Sequence, residues 1–215
     1  VKSYDLHEGI AVFSLWNRPM KIWDLSDPDH PNFISSCEDF SASYIQILDE
    51  LVFFGASQYG IGAINIADIQ NPRIVYRHNS PPGYYYAFGL FDDRLLAIRD
   101  QAELIDFSKR TSPEVHGELS IPNSWAGRCV VLEDLAIVAA YNDSISIVSL
   151  TDPANPKLTY TGQVAHDYVL TAKDHILYLQ NGSSTKLFDI SNPHLPQYLG
   201  SRSLGGVVQD FVVRD

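Results

Sequence analysis

The chain has 215 residues, of which 45% are hydrophobic and 19% charged, and its 15 Lys and Arg against 26 Asp and Glu leave a formal net charge of −11. That length and apolar content suit a folded chain with a sizeable core and argue against disorder. The acidity argues against a phosphate-backbone partner and against docking on anionic lipid, and no apolar run approaches the roughly 20 residues of a membrane-spanning helix.

In chain order, the pattern is a succession of short alternating runs. Ser3-Tyr4-Asp5-Leu6-His7 comes first, and Tyr4 and Leu6 stand where Ile45 and Ile47 stand in the next copy of the pattern. Strands are then predicted at 43–47, 51–54, 62–66 and 74–76; at 87–90, 95–98, 102–105 and 114–116; at 128–131, 136–138, 145–148 and 158–160; and at 168–171, 176–179, 186–188 and 197–199. Val, Ile, Leu and aromatic residues at period two, broken by turn residues, are strand chemistry. No stretch holds a 3.6-residue apolar period, so almost no helix is expected.

One phrase recurs through these runs. It is fullest in Leu187-Phe188-Asp189-Ile190-Ser191-Asn192-Pro193-His194-Leu195-Pro196, and earlier forms are Ile22-Trp23-Asp24-Leu25-Ser26-Asp27-Pro28, Ile66-Ala67-Asp68-Ile69-Gln70-Asn71-Pro72, Leu104-Ile105-Asp106-Phe107-Ser108 and Ile147-Val148-Ser149-Leu150-Thr151-Asp152-Pro153. Taking Asp24, Asp68, Asp106, Ser149 and Asp189 as equivalent gives spacings of 44, 38, 43 and 40 residues. Repeats of about 42 residues with four short strands each are the pattern of β-propeller blades. In the phrase itself, Asp, Ser and Asn side chains bond nearby backbone N–H groups and Pro presets φ, so it is read as a turn and not as a catalytic motif. The 12 prolines fall between strands in this register, with Pro19 in a second-to-third strand loop. That is where a missing N–H costs least.

The expected architecture is therefore all-β, a five-bladed β-propeller forming a single domain over 1–215. Its repeats run over approximately 1–40, 41–83, 84–123, 124–163 and 164–204, and residues 205–215 supply a closing strand. In that arrangement Val208-Gln209-Asp210-Phe211-Val212-Val213 completes the blade begun by residues 10–33, because an unclosed ring leaves exposed strand edges. The alternative is an excerpt of a longer propeller. The chain opens at Val1 and its one methionine is Met20, which reads as a processed product or an excerpt.

The phrase Phe188-Asp189-Ile190-Ser191-Asn192-Pro193, with Pro196 and Leu199-Gly200 beyond it and an alternating hairpin before it, resembles the LVIVD repeat. The resemblance spans essentially the whole chain. It departs in the third copy, where Lys109-Arg110-Thr111-Ser112 reads as an insertion before Pro113, and in the fourth, where Ser149 replaces Asp. It implies a β-propeller of bacterial or archaeal surface or secreted proteins, so an extracellular or cell-surface setting is expected. It implies no shared catalytic residues.

In a propeller, the between-blade loops and the second-to-third strand loops share one face. Here those loops carry Trp16, Tyr59, Tyr84, Tyr85, Tyr86, Trp125 and Tyr141, with Arg128, His166 and Asp167 nearby. Exposed aromatic rings beside polar groups are the material of protein- and glycan-binding surfaces. Three consecutive tyrosines cannot all face inward in a strand, so at least one of Tyr84, Tyr85 and Tyr86 should reach a loop surface. These ten residues are the candidate ligand contacts of a non-catalytic interaction module, whose partner is a protein or glycan and neither nucleic acid nor membrane. The alternative is a glycan-directed hydrolase using channel carboxylates such as Asp167 and Asp210. Against it, the first strands offer Gln46, Gly89, Val130, Leu170 and Val212 toward the channel, which is largely inert.

No zinc, EF-hand, Walker or nucleophile-elbow sequence is present, so no cofactor, metal or catalytic residue is assigned. Gly60-Ile61-Gly62 lies within a hairpin and lacks the helix a dinucleotide site requires. Cys37 and Cys129 are expected as two free, mostly buried thiols.

Overall fold

The computed structural model describes residues 3–15, 18–37, 42–56, 60–78, 87–98, 101–109, 112–122, 126–140, 144–164, 169–181, 183–203 and 205. Twenty strands form five four-stranded antiparallel sheets, and no helix occurs among these residues. The first sheet holds β1 (Ser3–His7), β2 (Ile10–Leu15), β3 (Arg18–Asp24) and β4 (Asn32–Cys37). The second holds β5 (Tyr44–Leu48), β6 (Leu51–Ala56), β7 (Gly60–Asn65) and β8 (Arg73–His78). The third holds β9 (Ala87–Phe91), β10 (Arg94–Ile98), β11 (Ala102–Asp106) and β12 (Glu114–Leu119). The fourth holds β13 (Ala126–Leu132), β14 (Leu135–Ala140), β15 (Ser144–Ser149) and β16 (Lys157–Gln163). The fifth holds β17 (Val169–Lys173), β18 (Ile176–Asn181), β19 (Ser184–Asp189) and β20 (Gln197–Ser203).

Each sheet begins with the same hairpin. A two-residue turn joins its first two strands, and the first turn residue is always acidic: Glu8, Asp49, Asp92, Glu133 and Asp174. All five lie in the left-handed region, with φ of +47°, +51°, +48°, +52° and +49°. Two-residue hairpins favour φ > 0 because it matches the strands' twist, and Asp tolerates that region better than most residues.

Each sheet also ends with the same device, and here the structure corrects the repeat register. The last residues of the third strands are Asp24, Asn65, Asp106, Ser149 and Asp189, separated by 41, 41, 43 and 40 residues. Asn65, and not Asp68, is the second copy's equivalent of Asp189. Asn65 Oδ1 accepts the Ala67 N–H at 2.8 Å, as Asp24 Oδ1 accepts from Ser26 and Asp189 Oδ1 from Ser191, both at 2.8 Å. Three residues on, the carbonyls of Asp27, Asp68, Lys109, Asp152 and Asn192 accept from His30, Asn71, Ser112, Asn155 and Leu195 at 2.9–3.1 Å. A proline stands seven residues after each of the five acceptor positions. The third copy therefore has no insertion, since Pro113 follows Asp106 at the common spacing and the Ser112 N–H meets the Lys109 carbonyl as in the other copies.

A bulge confirms the frame. The register between third and fourth strands shifts at Ile22/Trp23, Ala63/Ile64, Leu104/Ile105, Ile147/Val148 and Leu187/Phe188, always one and two residues before the acceptor. The bulged partners are Ile34, Val75, His116, Thr159 and Leu199. A bulge sharpens the right-handed twist, so all five fourth strands bend at one level.

Ser3–His7 pairs with β2 along its whole length and fills the first-strand slot of the first sheet. The expectation that a C-terminal strand fills this slot is thus corrected, since a strand needs only one such partner on that edge. Of residues 205–215, to which that closing role was assigned, 206–215 lie outside the described residues. Nothing in the described strand pairing closes the five sheets into a ring. Pro19 is also corrected, from the loop to the second position of β3, beside an irregular pairing at Phe13/Leu15 where an absent N–H is tolerated.

The chain divides into two compact units, one of Val1–Tyr85 with Phe107–Pro113 and one of Tyr86–Asp106 with Glu114–Asp215. In the first, Val12, Met20, Ile22 and Cys37 of the first sheet pack on Ile45, Ile47, Phe54 and Ile64 of the second. Two polar links join the same sheets: Ser3 Oγ accepts from Ile45 N at 3.1 Å, and Asp5 Oδ2 accepts from Ile47 N at 2.7 Å. Gly62 lets the backbone approach the Phe54 ring, since a Cβ there would overlap the ring. Phe107 belongs to this unit and is fully buried between Phe53 and Tyr76, its ring edge-on to both at 4.8 and 5.1 Å.

The second unit contains two such interfaces. Leu96, Leu104 and Ile98 of the third sheet pack on Ala136, Val138 and Val148 of the fourth. The other face of the fourth, with Leu135, Ile137 and Ile147, packs on Leu177, Leu179 and Ile190 of the fifth. Fully burying each such side chain contributes about 1.5–3 kcal/mol, which makes sheet-on-sheet packing the main source of stability.

Both cysteines are free, with Cys37 buried and Cys129 partly so. The Cys129 thiol is turned inward toward β9, with Sγ 3.1 Å from where a Cβ on Gly89 would stand, and burial pushes its pKa from 9.0 to about 12. A raised pKa on an acid means the unfolded chain loses its proton first. Stability from this group is therefore intact below about pH 9 and falls as pH climbs from about 9 toward 12. Cys129→Ala is expected to flatten this alkaline decline relative to the parent protein in pH-dependent urea melts. Native protein should react with a thiol reagent far more slowly than unfolded protein; rapid labelling of Cys129 at pH 8 would contradict this environment.

Candidate functional site

The two ends of each sheet have different chemistry. The end carrying the first hairpin and the Pro-rich turn is saturated with bonds of its own. Leu25, Ile66, Leu150 and Ile190 donate their N–H to the hairpin carbonyls of Gly9, Glu50, Asp134 and His175 at 2.7–2.8 Å, tying the two turns together. Asp24 is held below the usual carboxylate range by the Ser26 backbone N–H and then its hydroxyl. Asp189 is held low by the Ser191 hydroxyl, then its N–H, with a smaller pull from His175. These carboxylates are stabilised as charged turn acceptors, the opposite of what a general acid requires.

The third sheet adds a charged cluster that the sequence reading did not single out. Asp106 is buried, and its Oδ2 lies 3.6 Å from Arg94 Nε and 3.4 Å from His116 Nδ1. His116 Nε2 is 3.9 Å from Glu114 Oε2, and Arg94 Nη1 is 3.9 Å from Asp92 Oδ2. His116 is the bulged residue of β12, and the bulge is what aims it at Asp106. The signal in sequence was only the alternation Glu114-Val115-His116, and the partner lies across the strand. A buried carboxylate with Arg and His beside it is a compensated charge, with no nucleophile in the group.

The candidate ligand contacts fall, by their sequence positions, around the connections between second and third strands and between successive sheets. Of the ten, Arg128 lies within the described residues, exposed on β13 next to an irregular pairing at Ala126/Arg128. Trp16, Tyr59, Tyr84, Tyr85, Tyr86, Trp125, Tyr141, His166 and Asp167 lie outside the described residues, as does Asp210. Gln46 sits on β5 opposite Phe53, with a buried Oε1 lacking a hydrogen-bond partner.

Several polar groups near these connections are committed to the fold. Ser14 Oγ donates to the Ala42 carbonyl at 2.8 Å, Thr185 Oγ1 donates to Gln180 Oε1, and Lys186 Nζ donates to the Val164 carbonyl. Among the described residues, no group of three or more His, Cys, Asp or Glu side chains is placed to hold a metal ion, and no helix is long and apolar enough to cross a membrane.

No family model matches the sequence, and no curated protein matches it. Solved structures do. The chain is similar over its whole length to a computationally designed protein, Ika8, with a TM-score of 0.79 at 11% identity, and it spans 65% of that protein's length. It is also similar to the designed protein Ika4, with a TM-score of 0.58 at 10% identity over 69% of this chain and 89% of that one. At such identities the likeness establishes the fold alone: an all-β repeat structure of five four-stranded antiparallel sheets.

Proposed function

We propose that this chain is a non-catalytic interaction module, built of propeller-type blades, that recognises a protein or glycan through the aromatic loops at one end of its sheets. The observation that carries this reading is the division of labour between sheet ends. At one end, Asp24, Asn65, Ser149 and Asp189 are consumed by the same turn bonds. The loops at the other end do not repeat, and they hold Trp16, Tyr59, Tyr84, Tyr85, Tyr86, Trp125 and Tyr141 in the sequence. Residues that vary while the scaffold repeats are free of a structural duty common to all copies, and Trp and Tyr are the side chains that most often dominate recognition. The resemblance to the LVIVD repeat supports a surface or secreted setting.

The test is capture of partners from the native source with mass spectrometry, together with a glycan array. Trp125→Ala and Tyr85→Ala are each expected to weaken capture by about tenfold or more while the circular dichroism spectrum and melting midpoint stay unchanged. Undiminished binding by both variants would refute the reading; loss of the fold would place the rings in the core.

A further inference from the structure

At the hairpin end of the sheets, the third copy departs from the other four at two positions that meet. Two residues after each acidic hairpin residue stand Ile10, Leu51, Arg94, Leu135 and Ile176. The bulged fourth-strand residues are Ile34, Val75, His116, Thr159 and Leu199. The third copy thus has a basic side chain at both positions, where the others have aliphatic residues or Thr. Between the two lies the turn acceptor. Asp106 is 7% exposed, whereas Asp24, Asn65, Ser149 and Asp189 are half-buried.

These positions belong to the packing between sheets. In the first sheet, Ile10 and Ile34 pack with Ile66, Ile69 and Ile74 of the second. In the fourth, Leu135 shares a core with Ile190 of the fifth. In the third, Leu96 and Leu104 pack on the fourth sheet, and alternation puts Arg94 and Asp106 on that same side, two residues nearer the hairpin. Gly117, next to His116, is backed by the fourth sheet's turn: a Cβ there would stand 3.0 Å from the Pro153 carbonyl oxygen and 2.7 Å from Pro156 Cδ. Charged groups therefore stand here where the other copies place an apolar contact. Arg94 and His116 make their ion contacts to Asp92, Asp106 and Glu114, all residues of the third sheet. Parting the third sheet from the fourth at this end breaks none of these contacts, and it hydrates side chains that water already reaches. The same movement between the fourth and fifth sheets would strip Leu135 of its apolar cover.

We propose that the hairpin end of the contact between the third and fourth sheets is a built-in opening point. The two sheets part there locally, while Leu96, Ile98 and Leu104 hold them together further along the strands. The Arg94–Asp106–His116 group is the device, because it keeps Asp106 compensated whether the sheets are closed or parted. This inference rests on strand register, burial and ion contacts and is independent of the loop-based function above.

Two amides report on it. Leu150 N–H donates to the Asp134 carbonyl at 2.7 Å, and Ile190 N–H donates to the His175 carbonyl at 2.8 Å, at equivalent places in the fourth and fifth sheets. Both residues are completely buried, Leu150 in the core shared with the third sheet and Ile190 in the core shared with the fourth. The experiment is native-state hydrogen exchange read residue by residue by NMR, under conditions where rates track the opening equilibrium. After correction for intrinsic rates, Leu150 is expected to exchange at least about tenfold faster than Ile190 in the parent protein. The double variant Arg94→Leu, His116→Ile gives Asp106 aliphatic neighbours like those of Asp24. It should slow exchange at Leu150 by about tenfold or more and leave Ile190 unchanged. Equal protection of the two amides in the parent overturns the proposal. So does a folded double variant in which Leu150 exchanges as fast as before, or slows only together with Ile190. If the double variant does not fold, the comparison of the two amides in the parent decides alone.

Discussion

Phe107→Ala is expected to be among the most damaging single truncations in the first unit, lowering its stability by about 3–5 kcal/mol in urea unfolding. The side chain is fully buried, and its ring meets Phe53 and Tyr76 at near-perpendicular angles of 89° and 87°. Removing it leaves a cavity between two rings that cannot collapse together, and it removes two edge-to-face contacts of about 0.5–1.5 kcal/mol each. Phe107→Leu keeps most of the volume and should recover a substantial part of the loss. An alanine variant as stable as the parent would show that Phe107 does not fill this site.

Gly89→Val is expected to cost about 1–3 kcal/mol by the opposite mechanism, overpacking. A Cβ at Gly89 would stand 2.7 Å from Val131 Cγ2 and 3.1 Å from Cys129 Sγ, closer than packed atoms allow. Both β9 and β13 are held by hairpin pairing along their lengths, so neither can shift without breaking its ladder. Shortening the opposing side chain should relieve the clash: Gly89→Val combined with Val131→Ala is expected to be more stable than Gly89→Val alone. Strict additivity of the two changes in thermal melts would mean that the side chains do not meet.

The same contrast between local pattern and partner contact explains what was legible. Strand positions followed from alternation, because period two places one side of each strand on a core. The five copies followed from turn chemistry. The frame of the second and third copies did not. The first, fourth and fifth phrases carry two prolines, such as Pro153 and Pro156, whereas the second and third keep only the later one, Pro72 and Pro113. Aligning Pro72 with the earlier proline moved the equivalence to Asp68 and made Lys109–Ser112 look inserted. Asn65 can accept the turn N–H as Asp does, but the sequence does not show which amide it meets.

The sequence by itself determined the class of this protein: strands without helices, five copies, acidic hairpins with a Pro-rich turn, and aromatic residues concentrated in the loops that do not repeat. These are local properties, written in side-chain alternation and in backbone preferences over a few residues. Only the tertiary structure decided the register between copies, the membership of Ser3–His7 in the first sheet, the Asp106 cluster, and which faces are covered. Each depends on what lies across a strand or above a sheet. Tyr4 and Leu6 have the same local pattern as Ile45 and Ile47, yet Tyr4 and Leu6 are exposed whereas Ile45 and Ile47 are buried under the first sheet.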